Sequence, residues 1–430
     1  MRTRSFRHVV CLLLFVLAVQ VVSAAPTQLS YWGMSASSEE QETAVIEEFN
    51  RRHAGEIEVD PGFVMSTEEL REKLTVAIAA GVAPDMVRFD RFAIPEWAYQ
   101  GLFKPIDHLI KRDAIDSSDF YPAAWNEMIF EGKTYGIPHN MDVRALLYNK
   151  RVYSESGLDP ETSPRTWDDL AAYARKLDVK ENGEYVRIGF NPLHGNWFFY
   201  GYLLMAGGDL LDSTNRQVIW DNDPGRRAAN FMAEWIQRYG GEAEIRRVRK
   251  GGTYPSFADG RVASLMGGSW FVGSILDIDP TTEIGVGIPP RPAELADEIV
   301  SWSGGFAMVI PTTTPASKEE SVWEFIKFFT SPEAMMMAFQ GNSMGQLPPR
   351  RSVMLNRDFQ KTQPPELMDF LSILPHSRFR PVIPGGETLW KIYRDRLEKM
   401  IIDGVVPDQA VAETARLGQI ALDEAWGRVR

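Results

Sequence analysis

Residues 28 to 89 alternate strand, helix, strand, helix, strand, and that order restricts the fold more than any other feature of the chain. Gln28 to Trp32 alternates in polarity and sends Leu29 and Tyr31 to one face. Ser37 followed by Glu40 reads as a capping box, opening a helix whose buried stripe is Val45, Ile46 and Phe49. Ile57 to Val59 is a second strand. A second helix starts near Thr67, with Leu70, Leu74 and Ile78 four residues apart and Gly81 as its stop. Asp85 to Phe89 follows Pro84 as a third strand. This alternation predicts an α/β fold with a parallel, doubly wound sheet, which binds ligands beyond the carboxyl ends of its strands.

Downstream, helices are expected at Thr166 to Leu177, Pro224 to Tyr239, Ser321 to Phe329 and Pro332 to Phe339. Two more fill Thr388 to Trp426, broken around Gly404 to Pro407. Strands are expected at Val186 to Phe190, Ala263 to Met266 and Gly305 to Ile310. A chain of 430 residues is long enough for two or three domains. No repeat or long Gly/Ser linker separates them, so two compact lobes joined by short crossings fit best.

The N-terminus carries Arg2, Arg4 and Arg7, an apolar run from Val9 to Val19, and small residues at Val22-Ser23-Ala24. That pattern predicts a secretory signal peptide over residues 1–24, with cleavage before Ala25. The alternative, a signal anchor, needs a longer apolar run. The single cysteine, Cys11, lies inside this run, away from a small-residue junction, so no lipid anchor is expected. The mature chain then has no cysteine and must be held by its core alone. The formal charge of −12 falls further when the three leader arginines leave. So acidic a body repels phosphate backbones and anionic lipid, which argues against nucleic-acid or membrane-surface partners.

Catalytic signatures are few. The six histidines form no tight ligand pair, so no metal and no cofactor are expected. Gly285-Val286-Gly287 runs into Ile-Pro-Pro, which cannot open a phosphate-binding helix. Gly341-Asn342-Ser343-Met344-Gly345 matches a nucleophile elbow, with Asp369 and His376 following in hydrolase order. A helix precedes it and Leu347-Pro348-Pro349 follows, the wrong context for an elbow. A secreted serine hydrolase or carbohydrate-active enzyme, the latter on paired carboxylates, stays as an alternative.

The tryptophans carry more information. Trp32-Gly33, Asn196-Trp197, Gly268-Ser269-Trp270 and Trp302-Ser303-Gly304-Gly305 set indoles beside flexible, hydrogen-bonding backbone. Core tryptophans sit among aliphatics, as Trp323 does. Sugar rings have apolar faces that stack on aromatics and hydroxyl edges that need Asp, Asn and Arg partners. Ordinary core packing is the alternative for each indole singly. Trp32, Asn196, Trp197, Gly268, Ser269, Trp270, Trp302 and Gly304 are therefore candidate ligand residues, with Ser37, Asn140 and Arg378 beside them.

The chain resembles the extracellular solute-binding proteins of ABC importers, in the sugar-binding group that includes maltose-binding protein. The resemblance spans nearly the whole mature chain. Its markers are Ala79-Ala80-Gly81-Val82-Ala83-Pro84-Asp85, Gly132-Lys133-Thr134-Tyr135-Gly136-Ile137-Pro138 and Leu147-Tyr148-Asn149-Lys150. Pro164-Arg165-Thr166-Trp167-Asp168-Asp169-Leu170, Phe257-Ala258-Asp259-Gly260-Arg261-Val262-Ala263, Trp323-Glu324-Phe325-Ile326-Lys327-Phe328 and Gln346-Leu347-Pro348 follow in order.

The resemblance implies two doubly wound lobes joined by three hinge crossings near Asn140 to Leu146, Trp302 to Phe306 and Leu347 to Arg351. Lobe 1 would hold residues 25–142 and 303–349, and lobe 2 residues 143–302 and 350–430, with the ligand between them. It implies ligand roles for Phe89, Asp90 and Arg91, with one spacer residue missing, and for Asp142, Trp197, Trp270 and Trp390. The first loop has Ala36-Ser37 where maltose-binding protein has Asp-Lys, a departure that leaves the sugar open. The implied function is capture of a mono- or oligosaccharide in the periplasm and delivery to an importer's permease subunits, as a monomer and without catalysis. A glycerol-phosphate-type solute is the alternative ligand.

Overall fold

The computed structural model describes residues 25–34, 39–64, 66–195, 198–342 and 345–427. The expected signal peptide and the Ser37 capping box lie outside the described residues. The alternation of residues 28 to 89 is present as strands Thr27–Met34, Ile57–Val64 and Met86–Asp90, separated by helices Glu39–Arg52 and Thr67–Ala79. Val45, Ile46 and Phe49 are buried in the first helix, whose acidic first turn and Arg51-Arg52 end complement its dipole. The second is capped by Ser66, which accepts from the Glu69 amide at 3.1 Å. Gly81 ends it at φ 71°, a conformation glycine adopts without strain. The three strands pair in parallel. A strand from far downstream, Phe306–Val309, then runs antiparallel between Met86–Asp90 and Ile137–Pro138, closing a five-stranded sheet.

A second sheet is built around Arg144–Asn149, which runs antiparallel to both Ser264–Gly268 and Ile284–Gly287. The expected strand at 186–190 divides. Glu184–Arg187 turns back on Val179–Glu181, while Ile188 and Asn191 make parallel bridges to Val262 and Leu265 at the sheet edge. Helix Trp167–Leu177 starts with Thr166 and Asp169 in a full capping box. Helix Asp223–Arg238 is capped by Asn222. Near the C-terminus, Gly386–Lys391, a π-helical stretch Ile392–Glu398 and Lys399–Ile402 form one continuous rod before Gly404 breaks it and Pro407–Gly427 begins. Nothing in the side-chain pattern signals that π-helical turn.

Between the sheets, three chain segments run side by side. Met141 and Leu347 exchange both backbone hydrogen bonds at 2.8 Å. The Asp142 amide donates to the Gly304 carbonyl at 3.1 Å, and the Phe306 amide donates to Asn140 Oδ1 at 2.7 Å. Among the described residues, no helix is long and apolar enough to cross a membrane.

Candidate functional site

The Met86–Asp90 strand delivers Asp90 and Arg91 to this junction, where the Arg91 amide donates to the Gly305 carbonyl at 3.0 Å. From there a ladder of charges crosses the molecule. Asp90 accepts from Arg71 and from Arg380, each at 3.1 Å, the second pair 290 residues apart in sequence. Arg380 reaches on to Glu127 at 2.7 Å, and the other Glu127 oxygen meets Arg91 at 3.1 Å. Arg91 donates to the Gly304 carbonyl and to Ser303 Oγ. The Gly304 amide in turn donates to Asp142 at 2.7 Å, and Asp142 pairs with Arg144. At the other end Arg71 meets Glu387 at 3.0 Å.

Each guanidinium in the ladder has a carboxylate beside it, which is what permits so many charges away from water. Burial alone would raise the Asp90 carboxyl; Arg380 and Arg71 outweigh it and hold the group below its ordinary value. Burial raises Glu387, and burial lowers Arg91, against the pull of Glu127.

Beside the Arg144 rung lies a narrow cavity of about 20 Å³, partly open to solvent and lined by Arg144, His194, Gly195, Phe198, Tyr202, Met266, Gly267, Gly268, Trp270 and Trp302. Its indoles are seated by glycines. A Cβ on Gly268 would lie 1.7 Å from the Trp270 ring, and one on Gly201 would lie 2.5 Å from Trp302. Trp270 Nε1 donates to the Tyr254 hydroxyl at 3.3 Å, and the Arg144 guanidinium sits over the Trp270 ring at 4.2 Å from its centroid. Burial, then the charges of Arg249 and Arg144, push His194 down to about 3, so its ring is neutral at physiological pH. A neutral imidazole offers one donor and one acceptor. His194 Nε2 and Trp302 Nε1 are buried with no hydrogen-bond partner among the described residues. Apolar walls with a few convergent polar atoms are the makings of a small-molecule pocket, and as it stands the cavity has room for about one water.

Of the expected residues, Gly268, Trp270 and Trp302 line the cavity. Asp90, Arg91, Asn140, Asp142 and Gly304 gather in the junction next to it. Ser269 is fully buried, its amide bonded to the Val143 carbonyl at 3.1 Å. Trp390 is nearly buried, edge-on to Phe92 and under Arg394. Trp32 lies half-buried over Gly62, in the first lobe. Ser37, Asn196 and Trp197 lie outside the described residues, as does Ser343 of the apparent nucleophile elbow.

Three expectations need correction. Phe89 points into the first lobe's core against Trp97 and Phe103, because Asp90, the next residue along the strand, is the one that meets the junction charges. Arg91 is completely buried against Glu127 and the Gly304 carbonyl, so it braces the junction from inside. Arg378 is exposed and turned to Asp209.

Arg144, His194, Phe198, Tyr202, Glu127 and Arg380 were not anticipated. Arg144 had a signal, a lone cation heading the apolar strand Ala145 to Tyr148, and so did His194, beside glycine in a loop. Glu127 and Arg380 had none, since their pairing exists only in the fold.

Comparison with known proteins agrees with this architecture. The family described as bacterial extracellular solute-binding protein matches residues 35–336. The maltotriose-binding protein of Pyrococcus abyssi is 25% identical over 340 residues, 78% of this chain and 69% of its own length. An ABC transporter solute-binding protein from Thermotoga lettingae, solved with α-D-tagatose, superposes with a TM-score of 0.77 at 24% identity, covering 92% of this chain and all of its own. The sugar-binding protein MalE of Xanthomonas citri gives a TM-score of 0.79 at 22% identity, over 93% of this chain and 98% of its own. With two α/β lobes, a three-segment junction and a cavity beside it, matched by the family along most of its length, this chain belongs to the bacterial extracellular solute-binding proteins.

Proposed function

We propose that the protein captures a neutral mono- or oligosaccharide outside the cytoplasmic membrane and hands it to the permease subunits of an ABC importer. The observation that carries this reading is the cavity itself: aromatic walls from Trp270, Trp302, Phe198 and Tyr202, with two buried polar atoms that a sugar hydroxyl would satisfy. The sugars named for the relatives point to the same class of ligand. Asp142 offsets the Arg144 charge, which favours a neutral sugar over glycerol phosphate.

The lobes in this reading are residues 25–142 with 303–349 and 143–302 with 350–430. The ligand closes them together about the three adjacent segments. Phe198, Tyr202, His194, Trp270 and Trp302 provide the sugar site, and Asp90, Asp142 and Arg380 hold the closed junction; Asn196 and Trp197 are kept as ligand residues on the sequence reading alone. Residues 1–24 direct export to the periplasm without a lipid anchor, and the protein works as a monomer with no nucleic-acid partner.

A thermal-shift screen over sugars, sugar alcohols and sn-glycerol 3-phosphate tests the reading. A ligand at 100 times its Kd adds about 2.7 kcal/mol of stability. A shift with a neutral sugar, returned chemically unchanged, is the expected result. A response to the phosphate alone would overturn the choice of ligand, and a hydrolysed sugar would overturn the binding role.

A further inference from the structure

We propose that Arg144 is an internal gate of the aromatic cavity: its guanidinium covers the Trp270 ring and must swing off before a sugar ring can stack there. The ligand's identity rests on the sugar-binding reading above; the shielding of Trp270 does not.

Trp270 is the indole best placed to meet a ligand. It is half-buried at the cavity wall, and its ring is packed against Gly268 so closely that no Cβ fits between. The Arg144 guanidinium lies over the same ring, 4.2 Å from the centroid. Arg144 is thus held twice, by the indole and by Asp142. The Asp142 carboxylate is itself pinned to the junction by the Gly304 amide at 2.7 Å.

The backbone of Arg144 cannot follow a moving side chain. Its amide donates to Ser301 Oγ at 3.1 Å, and its carbonyl accepts from the same hydroxyl at 2.7 Å. With the backbone fixed, movement off the ring falls to the side chain alone. Burial disfavours the charged form of Arg144, against the pull of Asp142, so the guanidinium depends on the few partners it has. A cation over an indole is worth a factor of about two to thirty in an equilibrium constant. A sugar must exceed that factor to stack on Trp270, and the gate therefore weakens every ligand that needs the ring. Ligands that use only Trp302, Phe198 and Tyr202 escape the penalty, so Arg144 sets selectivity as well as affinity.

Two variants separate this role from a simple ligand contact. Arg144→Lys keeps a cation beside Asp142 but loses the flat fork that covers the ring; Arg144→Ala removes both. The first retains the ion pair and guards against a folding defect in the second, and melting curves of both report any such defect. Acrylamide quenching of tryptophan emission, read as the difference between each protein and its Trp270→Phe counterpart, isolates the Trp270 signal without any ligand. The expected result is at least a twofold steeper quenching of Trp270 in both variants; an unchanged slope in the folded Lys variant overturns the gate.

Calorimetry with maltotriose and with sn-glycerol 3-phosphate supplies the second arm. Maltotriose affinity should rise about two- to thirtyfold in both variants. Loss of maltotriose binding in both would make Arg144 a ligand contact and overturn the gate. Phosphate binding by the wild type that disappears in Arg144→Ala would overturn it as well, as an anion holder. Steeper quenching with neither compound bound by any form supports the gate while counting against the sugar reading.

Discussion

Glu398 is a carboxylate whose proton the fold retains at neutral pH, and replacing it should remove a loss of stability that sets in as pH rises from 4.5 to 7. It ends the π-helical stretch Ile392–Glu398 and is buried against the start of helix Phe198–Met205, where it accepts from the Phe199 amide at 2.8 Å. Burial dominates, and although the helix-start amides and Arg394 pull the other way, the group is pushed up to about 8 from an ordinary 4.5. Below pH 4.5 it is neutral whether the chain is folded or not. Between 4.5 and about 8 the unfolded chain releases a proton that the folded one retains, so stability falls as pH rises through this window.

From 4.5 to neutrality is about 2.5 pH units at about 1.4 kcal/mol each, or about 3 kcal/mol. That is a large share of the 5–15 kcal/mol typical of a domain. Glu398→Gln keeps an acceptor for Phe199 and cannot ionise. The difference in unfolding free energy between Gln variant and wild type should therefore move in the variant's favour by about 3 kcal/mol between pH 4.5 and 7, whatever fixed offset the amide introduces. Urea unfolding of both proteins at several pH values measures it, and every other titrating group cancels in the difference. A gap that stays constant with pH would refute the assignment. Since the same helix carries Phe198 and Tyr202 to the cavity, ligand affinity should weaken above pH 8 in the wild type alone.

Other perturbations test the placement of particular residues. Phe89→Ala should cost about 3–5 kcal/mol in urea unfolding, as a large ring removed from a packed core does; a change under about 1 kcal/mol would return Phe89 to the cleft. Glu127→Gln leaves two buried guanidiniums, Arg91 and Arg380, without their shared carboxylate and should destabilise by about 3–5 kcal/mol by the same measurement. An undisturbed midpoint would mean that the ladder carries little. Gly201→Ala drives a methyl into the Trp302 ring and should cost about 1–3 kcal/mol while weakening the sugar binding seen by calorimetry. If both are unchanged, Trp302 is not wedged as described.

What could be read from the sequence was local. The spacing of Leu70 and Leu74, the Thr166 start of its helix, and the break at Gly404 each depend on chemistry within a few residues, so the chain order alone determined those helices and the parallel start of the first sheet. Glycine-flanked tryptophans were legible for the same reason: Gly268 and Trp270 are two residues apart, and the steric need for glycine is already in that spacing. Tertiary structure alone decided which side of a strand end faces the junction. Phe89 and Asp90 are adjacent, yet one joins the core and the other the ladder, because successive side chains of a strand point opposite ways and only the partner sheet and Arg380 say which way is which. It alone also set the antiparallel second sheet, the π-helical turn that brings Glu398 to Phe199, and the seating of Arg144 on Trp270. Each of these joins groups distant in sequence, and their energies arise from burial and charge pairing across space, which no local pattern of residues encodes.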